Sequence, residues 1–337
     1  PTRSSAASDV YKRQNMFCCG WSAPSATEHI SSSVMDQVGP NIIHHVSNTF
    51  SETDAFHPII SLPTIFGINL SVSKHVLMLW IVSFLLISTI VIPVRKYVRS
   101  GKTVPSGWVN AIEAISKFIR DAIAIPNLGE KWVMTWAPLL MTFFFFILYT
   151  NGIGMVPIFD VIGLINRFVL GVPPDAHGAY SGNVINGMLH GGVTATGNFN
   201  VTGALATITF FSIMIAGSIA HGFLQHWKNL VPHGLPLPVY FLLIPIEIMG
   251  LFVKPFALTM RLAANMTGGH VALLALLSLM AIFGELFSTS VGIGVASIAI
   301  PMAVAISALE IIVVLVQAYV FTLLTAVFIG MAIHVHH

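Results

Sequence analysis

Glu247, Lys254, Arg261, Asn265, His270, Glu310 and Gln317 interrupt the otherwise apolar last hundred residues of the chain. Burying an ion in hydrocarbon is costly, so an ionisable group inside an apolar run is a functional candidate by default. Glu247, Lys254 and Arg261 are spaced by seven and seven. On a helix turning about 100° per residue they stay within roughly 40° of one stripe. Asn265, four residues after Arg261, joins that stripe. His270 is nine residues beyond Arg261, a rotation of about 900°, and falls on the opposite face. Glu310 and Gln317 are again seven apart and nearly in line.

The chemistry that suits these groups is proton movement. A carboxylate beside an imidazole passes a proton near neutral pH, because histidine titrates close to about 6.5 and each group shifts the other. An arginine, with a pKa above about 12, stays charged. It is a poor relay but a good electrostatic gate, drawing the proton off a neighbouring acid and blocking a direct leak. The one acid on the stripe of Arg261 is Glu247, about four turns away. The acid that meets Arg261 is therefore expected on another subunit.

These groups need helices long enough to span a membrane. The chain is 55% hydrophobic and only 8% charged, with a mean hydropathy of +0.84, against about 25% charged in a soluble domain. Val76 to Val94 is free of charge and long enough for about 30 Å of hydrocarbon. Further spans are expected at about Thr135 to Ile158 and Val201 to His221. Arg95, Lys96, Arg99, Lys102, Lys117, Arg120 and Lys131 follow the first span, whereas the 159–200 loop carries only Arg167. The positive-inside rule puts residues 95–131 in the cytoplasm and the N-terminus outside. Trp108, Ile112, Ile115, Ile119 and Ala122 recur at helical spacing within that segment. They predict an amphipathic helix on the membrane surface. The connection QHWKNLVPHGLPLP is expected to be non-helical because of Pro232, Pro236 and Pro238.

Val239 to Phe287 and Ile293 to Ile333 are apolar segments that, as helices, would be roughly 74 and 62 Å long. Each is about twice a membrane thickness. Either each folds back on itself or each is one strongly tilted helix, and the turn-forming STSVGIG cluster at 288–294 favours a single hairpin. Pro245, Pro255 and Pro301 bend such helices without having to end them. Arg261 lies 28 residues before position 289 and Gln317 lies 28 after it, while His270 and Glu310 lie 19 and 21 away. An antiparallel hairpin turning there sets Arg261 level with Gln317, and His270 level with Glu310 nearer the turn. The fold class is thus an all-α integral membrane protein of about five transmembrane or intramembrane helices. The last two form a long, tilted antiparallel hairpin, and a cytoplasmic surface helix completes the architecture.

Residues 1–15 read as adaptor-derived sequence, with Met16 or Met35 expected as the start. Residues 16–75 form a polar external segment and residues 76–337 the membrane channel domain. A net charge of +2 without a basic cluster excludes a nucleic-acid surface. The adjacent Cys18 and Cys19 offer neither a disulfide framework nor a spaced ligand set. No metal or cofactor is expected, and no phosphate-binding G-x-x-x-x-G-K-[ST] loop is present. Two other classes compete. A membrane electron carrier needs paired intramembrane histidines, and His221 and His270 come nearest. A secondary transporter would usually show an internal repeat with broken helices, and none is found.

The segment LFVKPFALTMRLAANMTGGHVALL resembles the K-P-x-x-L-x-x-R-L-x-x-N-M-x-x-G-[EH] signature of subunit a of F-type ATP synthases, of bacterial type. The second helix, SALEIIVVLVQAYVFTLLTAVFI, is similar to that family's last helix, with an acid or histidine seven residues before a glutamine. The resemblance covers about residues 76–335. It implies that Arg261 is the stator arginine facing the c-ring carboxylate, with Gln317 and Asn265 as its neighbours. His270 and Glu310 match the outer half-channel pair, which some relatives carry in the reverse order. Glu247 matches an inner half-channel acid, and Asn151, more loosely, a polar residue of the second span. Lys254 is left between a channel role and snorkelling, and the 159–200 loop with its GGVTATGNFN run has no assigned role. The implied partners are c-ring subunits, the subunit b peripheral stalk and membrane lipids. H⁺ or Na⁺ is the only small substrate implied. The implied location is the bacterial inner membrane, multi-pass, with the C-terminus cytoplasmic. ATP chemistry would occur on a separate soluble sector.

Overall fold

The computed structural model describes residues 64–65, 68–69, 74–101, 104–155, 194–229 and 237–334. The expected leader, most of the N-terminal segment, Lys102, residues 159–193, Pro232 and Pro236 lie outside the described residues. A two-residue antiparallel pair, β1 (Thr64–Ile65) and β2 (Ile68–Asn69), precedes the helices. Helices α1 (Lys74–Leu86) and α2 (Ile92–Arg99) are joined by a π turn, Ile87–Val91. Next come α3 (Trp108–Phe118), a second π turn (Ile119–Ala124), α4 (Ile125–Leu128) and α5 (Glu130–Met155). A short 3₁₀ turn, Ala195–Gly197, leads into α6 (Phe199–His221) and α7 (Phe223–Asn229). The chain ends in α8 (Leu237–Leu286) and α9 (Thr289–Ile333). Among the described residues, five helical segments are long and apolar enough to cross a membrane: His75–Arg99, Glu130–Met155, Phe199–His221, Phe241–Leu286 and Thr289–Ile333.

Both π turns end two residues before a proline, Pro93 and Pro126. A proline has no N–H for the carbonyl four residues back, and its ring crowds that carbonyl. Widening the preceding turn relieves the crowding. The carbonyl left over by Pro93 belongs to Thr89, and Trp108 Nε1 donates to it at 2.8 Å. The Thr89 hydroxyl also lies 2.8 Å from the Tyr149 hydroxyl. The surface helix is thereby tied to the first span, and the first span to α5.

The second π turn rotates the apolar stripe of the surface helix. Ile112, Ile119 and Ile123 are buried, whereas Trp108 and Ala122, expected on the same face, are exposed. On its outer side Arg120 Nε donates to Asp121 Oδ1 at 2.8 Å, and this hydrogen bond holds the Asp121 carboxyl below the ordinary carboxylate range.

The core lies where α5, α6, the first half of α8 and the second half of α9 meet. Leu140, Phe143, Ile147, Leu205, Ile213, Leu258, Leu262, Ala318, Phe321 and Ile329 are buried there together. Phe143 meets Phe321 edge to face, with ring centroids 5.5 Å apart. Thr209 and Thr325 hydroxyls pair at 3.4 Å across α6 and α9, the kind of interhelical contact that membrane helices use in place of hydrophobic drive.

The hairpin forms with a much tighter turn than the STSVGIG cluster suggests. Helix α8 ends at Leu286 and α9 begins at Thr289, because Ser288 adopts an extended conformation and its hydroxyl caps Val291 N. Gly284 and Gly292 then face each other so closely that a Cβ on Gly292 would sit 2.8 Å from the Gly284 Cα. Glycine serves close helix approach here and not chain reversal. Pro245, Pro255 and Pro301 lie inside continuous helices, as expected. The connection departs from expectation at both ends. Gln225–Asn229 is helical within α7, and Pro238 lies in the first turn of α8, where a missing N–H costs nothing.

Candidate functional site

His270 and Glu310 meet across the hairpin. Nδ1 of His270 is 3.7 Å from Oε1 of Glu310, within ion-pair range though longer than a hydrogen bond, and both side chains are largely shielded. His270 Nε2 is buried and has no hydrogen-bond partner among the described residues. One ring nitrogen thus faces a carboxylate while the other is uncommitted, an arrangement able to take a proton on one side and release it on the other. The approach depends on Gly269. A Cβ there would collide with the Glu310 carboxylate and lie 3.1 Å from its Cδ.

Arg261 and Gln317 also share a level, through the backbone of one and the side chain of the other. Gln317 Nε2 donates to the Arg261 carbonyl at 3.4 Å. Gln317 is buried, while the Arg261 side chain is exposed on the open face of α8, with Asn265 exposed one turn further on. No acid comes within ion-pair distance of Arg261 among the described residues. Gln317 is held in turn by α5, since Asn151 Nδ2 donates to Gln317 Oε1 at 3.3 Å. Thr196 Oγ1 donates to Asn151 Oδ1 from the 3₁₀ turn.

Glu247 and Lys254 share the stripe of Arg261 but not its surroundings. Both are half-buried. The Lys254 ammonium lies 5.7 Å from the Phe328 ring centroid, a cation–π contact between α8 and α9. Glu247 and Asn265 are joined to no other side chain among the described residues. His221 and His270 do not form a pair. His221 Nε2 is 2.9 Å from the Ile333 carbonyl, whereas His270 faces Glu310.

Residues 76–330 match the ATP synthase A chain family. The chain is 36% identical over 303 residues to ATP synthase subunit a 2 of Chlorobium luteolum, covering 88% of this chain and 76% of that one. It is 38% identical over 304 residues to ATP synthase subunit a of Chlorobium phaeobacteroides, with the same shares of the two chains. Against ATP synthase subunit a of Myxococcus xanthus it is 37% identical over 271 residues, 80% of this chain and 75% of that one. The chain belongs to the ATP synthase subunit a family.

As a subunit a family member with five membrane-length helices among the described residues, the chain keeps polar groups at the helix crossings that single-helix periodicity does not reveal. Thr194 and Thr196 are buried although they belong to the 159–200 loop to which no role was assigned. They fit because Gly154 leaves room. A Cβ there would run into Thr194. The Thr267 hydroxyl donates to the Gly197 carbonyl at 3.4 Å, fastening the turn to α8. The local signal was the T-A-T-G-N run directly before an apolar helix, a turn-and-cap pattern in which Asn198 accepts from Asn200 N. Gly269 had a signal too, as a small residue beside His270 opposite the expected level of Glu310.

Proposed function

We propose that this chain is the proton-translocating stator subunit of an ATP synthase. It provides two offset half-channels and sets Arg261 against the carboxylates of a rotating c-ring. The observation that carries the reading is the exposed Arg261 guanidinium, set within an apolar helix on an open face. An ion in hydrocarbon is costly unless it is paired, so this face calls for a partner that brings its own acid. A c-ring carboxylate arriving protonated loses its proton beside the guanidinium, because the charged form is stabilised there. It regains a proton only after moving past.

His270 and Glu310 relay protons in the outer half-channel. Glu247 serves the inner one, two seven-residue steps before Arg261. Gln317 and Asn265 flank the arginine. The membrane potential supplies about 2.3 kcal/mol per charge per 100 mV for the rotation. ATP is made on a separate soluble sector, and the subunit b stalk holds this chain still. In the bacterial inner membrane the N-terminus and the α8/α9 turn face outward and the C-terminus inward, in keeping with Arg95, Lys96 and Arg99 at the end of α2.

The test is Arg261→Ala in inverted membrane vesicles. ATP-driven acidification is abolished while the variant still co-purifies with the rotor. Acidification at the unsubstituted rate would refute the proposal.

A further inference from the structure

The buried chain of hydrogen bonds ending at Arg261 has a direction. The Arg261 carbonyl only accepts, so the end of the Gln317 amide that faces it must be the NH₂ group. Gln317 then presents its oxygen to Asn151, which must answer with its own NH₂. Asn151 in turn presents its oxygen to Thr196, whose hydroxyl donates. Thr196 and Asn151 are wholly buried and Gln317 is 4% exposed, so water does not readily replace a missing member. Amides cannot pass protons along such a chain at ordinary pH. What they transmit is orientation, each bond polarising the next.

We infer that Thr196 is a positioning residue for the ion-coupling step. Its hydroxyl satisfies the Asn151 oxygen and so holds Asn151 where its NH₂ occupies the Gln317 oxygen. With that oxygen occupied by Asn151, Gln317 does not capture the Arg261 guanidinium, whose donors stay available for an incoming carboxylate. Without the hydroxyl, the Asn151 oxygen is left buried and unsatisfied. Asn151 then gains by turning away from Gln317 toward another donor, which frees the Gln317 oxygen to accept from the Arg261 guanidinium. The 3₁₀ turn Ala195–Gly197 is held for this purpose between α5 and α8, by the close fit of Thr194 on Gly154 and by the Thr267 bond to Gly197.

The inference rests on the proposed role of Arg261, and the experiment separates the two. ATP-driven acidification is measured for Thr196→Val, which keeps the shape and removes the hydroxyl, for Thr196→Ser, which keeps the hydroxyl, and for each combined with Gln317→Leu. Thr196→Val slows acidification by about three- to tenfold, the effect of one buried hydrogen bond. Thr196→Ser restores at least half of the rate. In the Gln317→Leu background Thr196→Val adds no further loss, because the chain is already cut. Unchanged acidification in Thr196→Val, or an equal loss with and without Gln317, overturns the inference. If Thr196→Val fails to co-purify with the rotor, Thr196→Ala is measured in its place. Failure of both while Thr196→Ser assembles would mean that Thr196 acts in packing alone, and would also overturn it. Arg261→Ala, run alongside, reports on the stator role itself. An inactive Arg261→Ala with a fully active Thr196→Val refutes only the positioning role.

Discussion

His270 Nδ1 and Glu310 Oε1 lie 3.7 Å apart across the α8/α9 hairpin, on the side of Arg261 that leads to the turn. Along α8 His270 and Arg261 are separated by about 13 Å, at 1.5 Å per residue. The histidine and the acid therefore form a unit distinct from the level of the arginine.

The pairing predicts a specific exchange. Replacing either residue alone by alanine lowers ATP-driven acidification by about a hundredfold or more, the low end of what a positioned acid or base contributes. The double exchange His270→Glu with Glu310→His keeps one acid and one imidazole at the contact. It acidifies vesicles faster than either half of the exchange alone. A double variant no faster than the singles would separate the two residues functionally.

Gly269 predicts a steric dependence. A methyl group in place of its hydrogen meets the Glu310 carboxylate. Overpacking costs about 1 kcal/mol at its low end, the end that applies here because the far end of the Glu310 side chain can swing aside. Gly269→Ala thus lowers both acidification and the thermal stability of the detergent-solubilised protein. Glu310→Asp withdraws the carboxylate by one methylene, and Gly269→Ala with Glu310→Asp recovers part of the stability lost in Gly269→Ala. Equal melting temperatures for the two variants would contradict the contact.

The bond from Trp108 to the Thr89 carbonyl predicts a non-additive pair. Trp108→Phe removes the donor and destabilises by about 0.5–1.5 kcal/mol. Pro93→Ala restores a backbone N–H that can take the Thr89 carbonyl within the helix. In the Pro93→Ala background Trp108→Phe costs less. The comparison is read from thermal unfolding of the four proteins, and equal losses in both backgrounds would show that the ring nitrogen plays no part.

Much of this architecture follows from the order of residues alone. The five apolar runs have the length of membrane helices, and their bounds move by only a few residues in the structure. The seven-residue steps from Glu247 to Arg261 and from Glu310 to Gln317 define stripes on single helices. The hairpin register follows from one turn and two polar levels, and both levels meet as expected. These are local properties, set by 3.6 residues per turn and by hydrocarbon thickness.

What only the tertiary structure decided is which side of each helix faces which neighbour. Helices α8 and α9 are apolar nearly all round, so no polar face turns them toward water and no apolar face toward a core. Their rotation is set by close contacts at Gly269 and Gly292 and by the hydrogen bonds of Gln317. The same contacts bury Gln317 and leave the Arg261 side chain on the open face. Thr196 shows the limit most clearly. A threonine in a polar loop has no periodic signature, and its place beside Asn151 exists only because Gly154 and Thr267 bring the turn into the helix bundle.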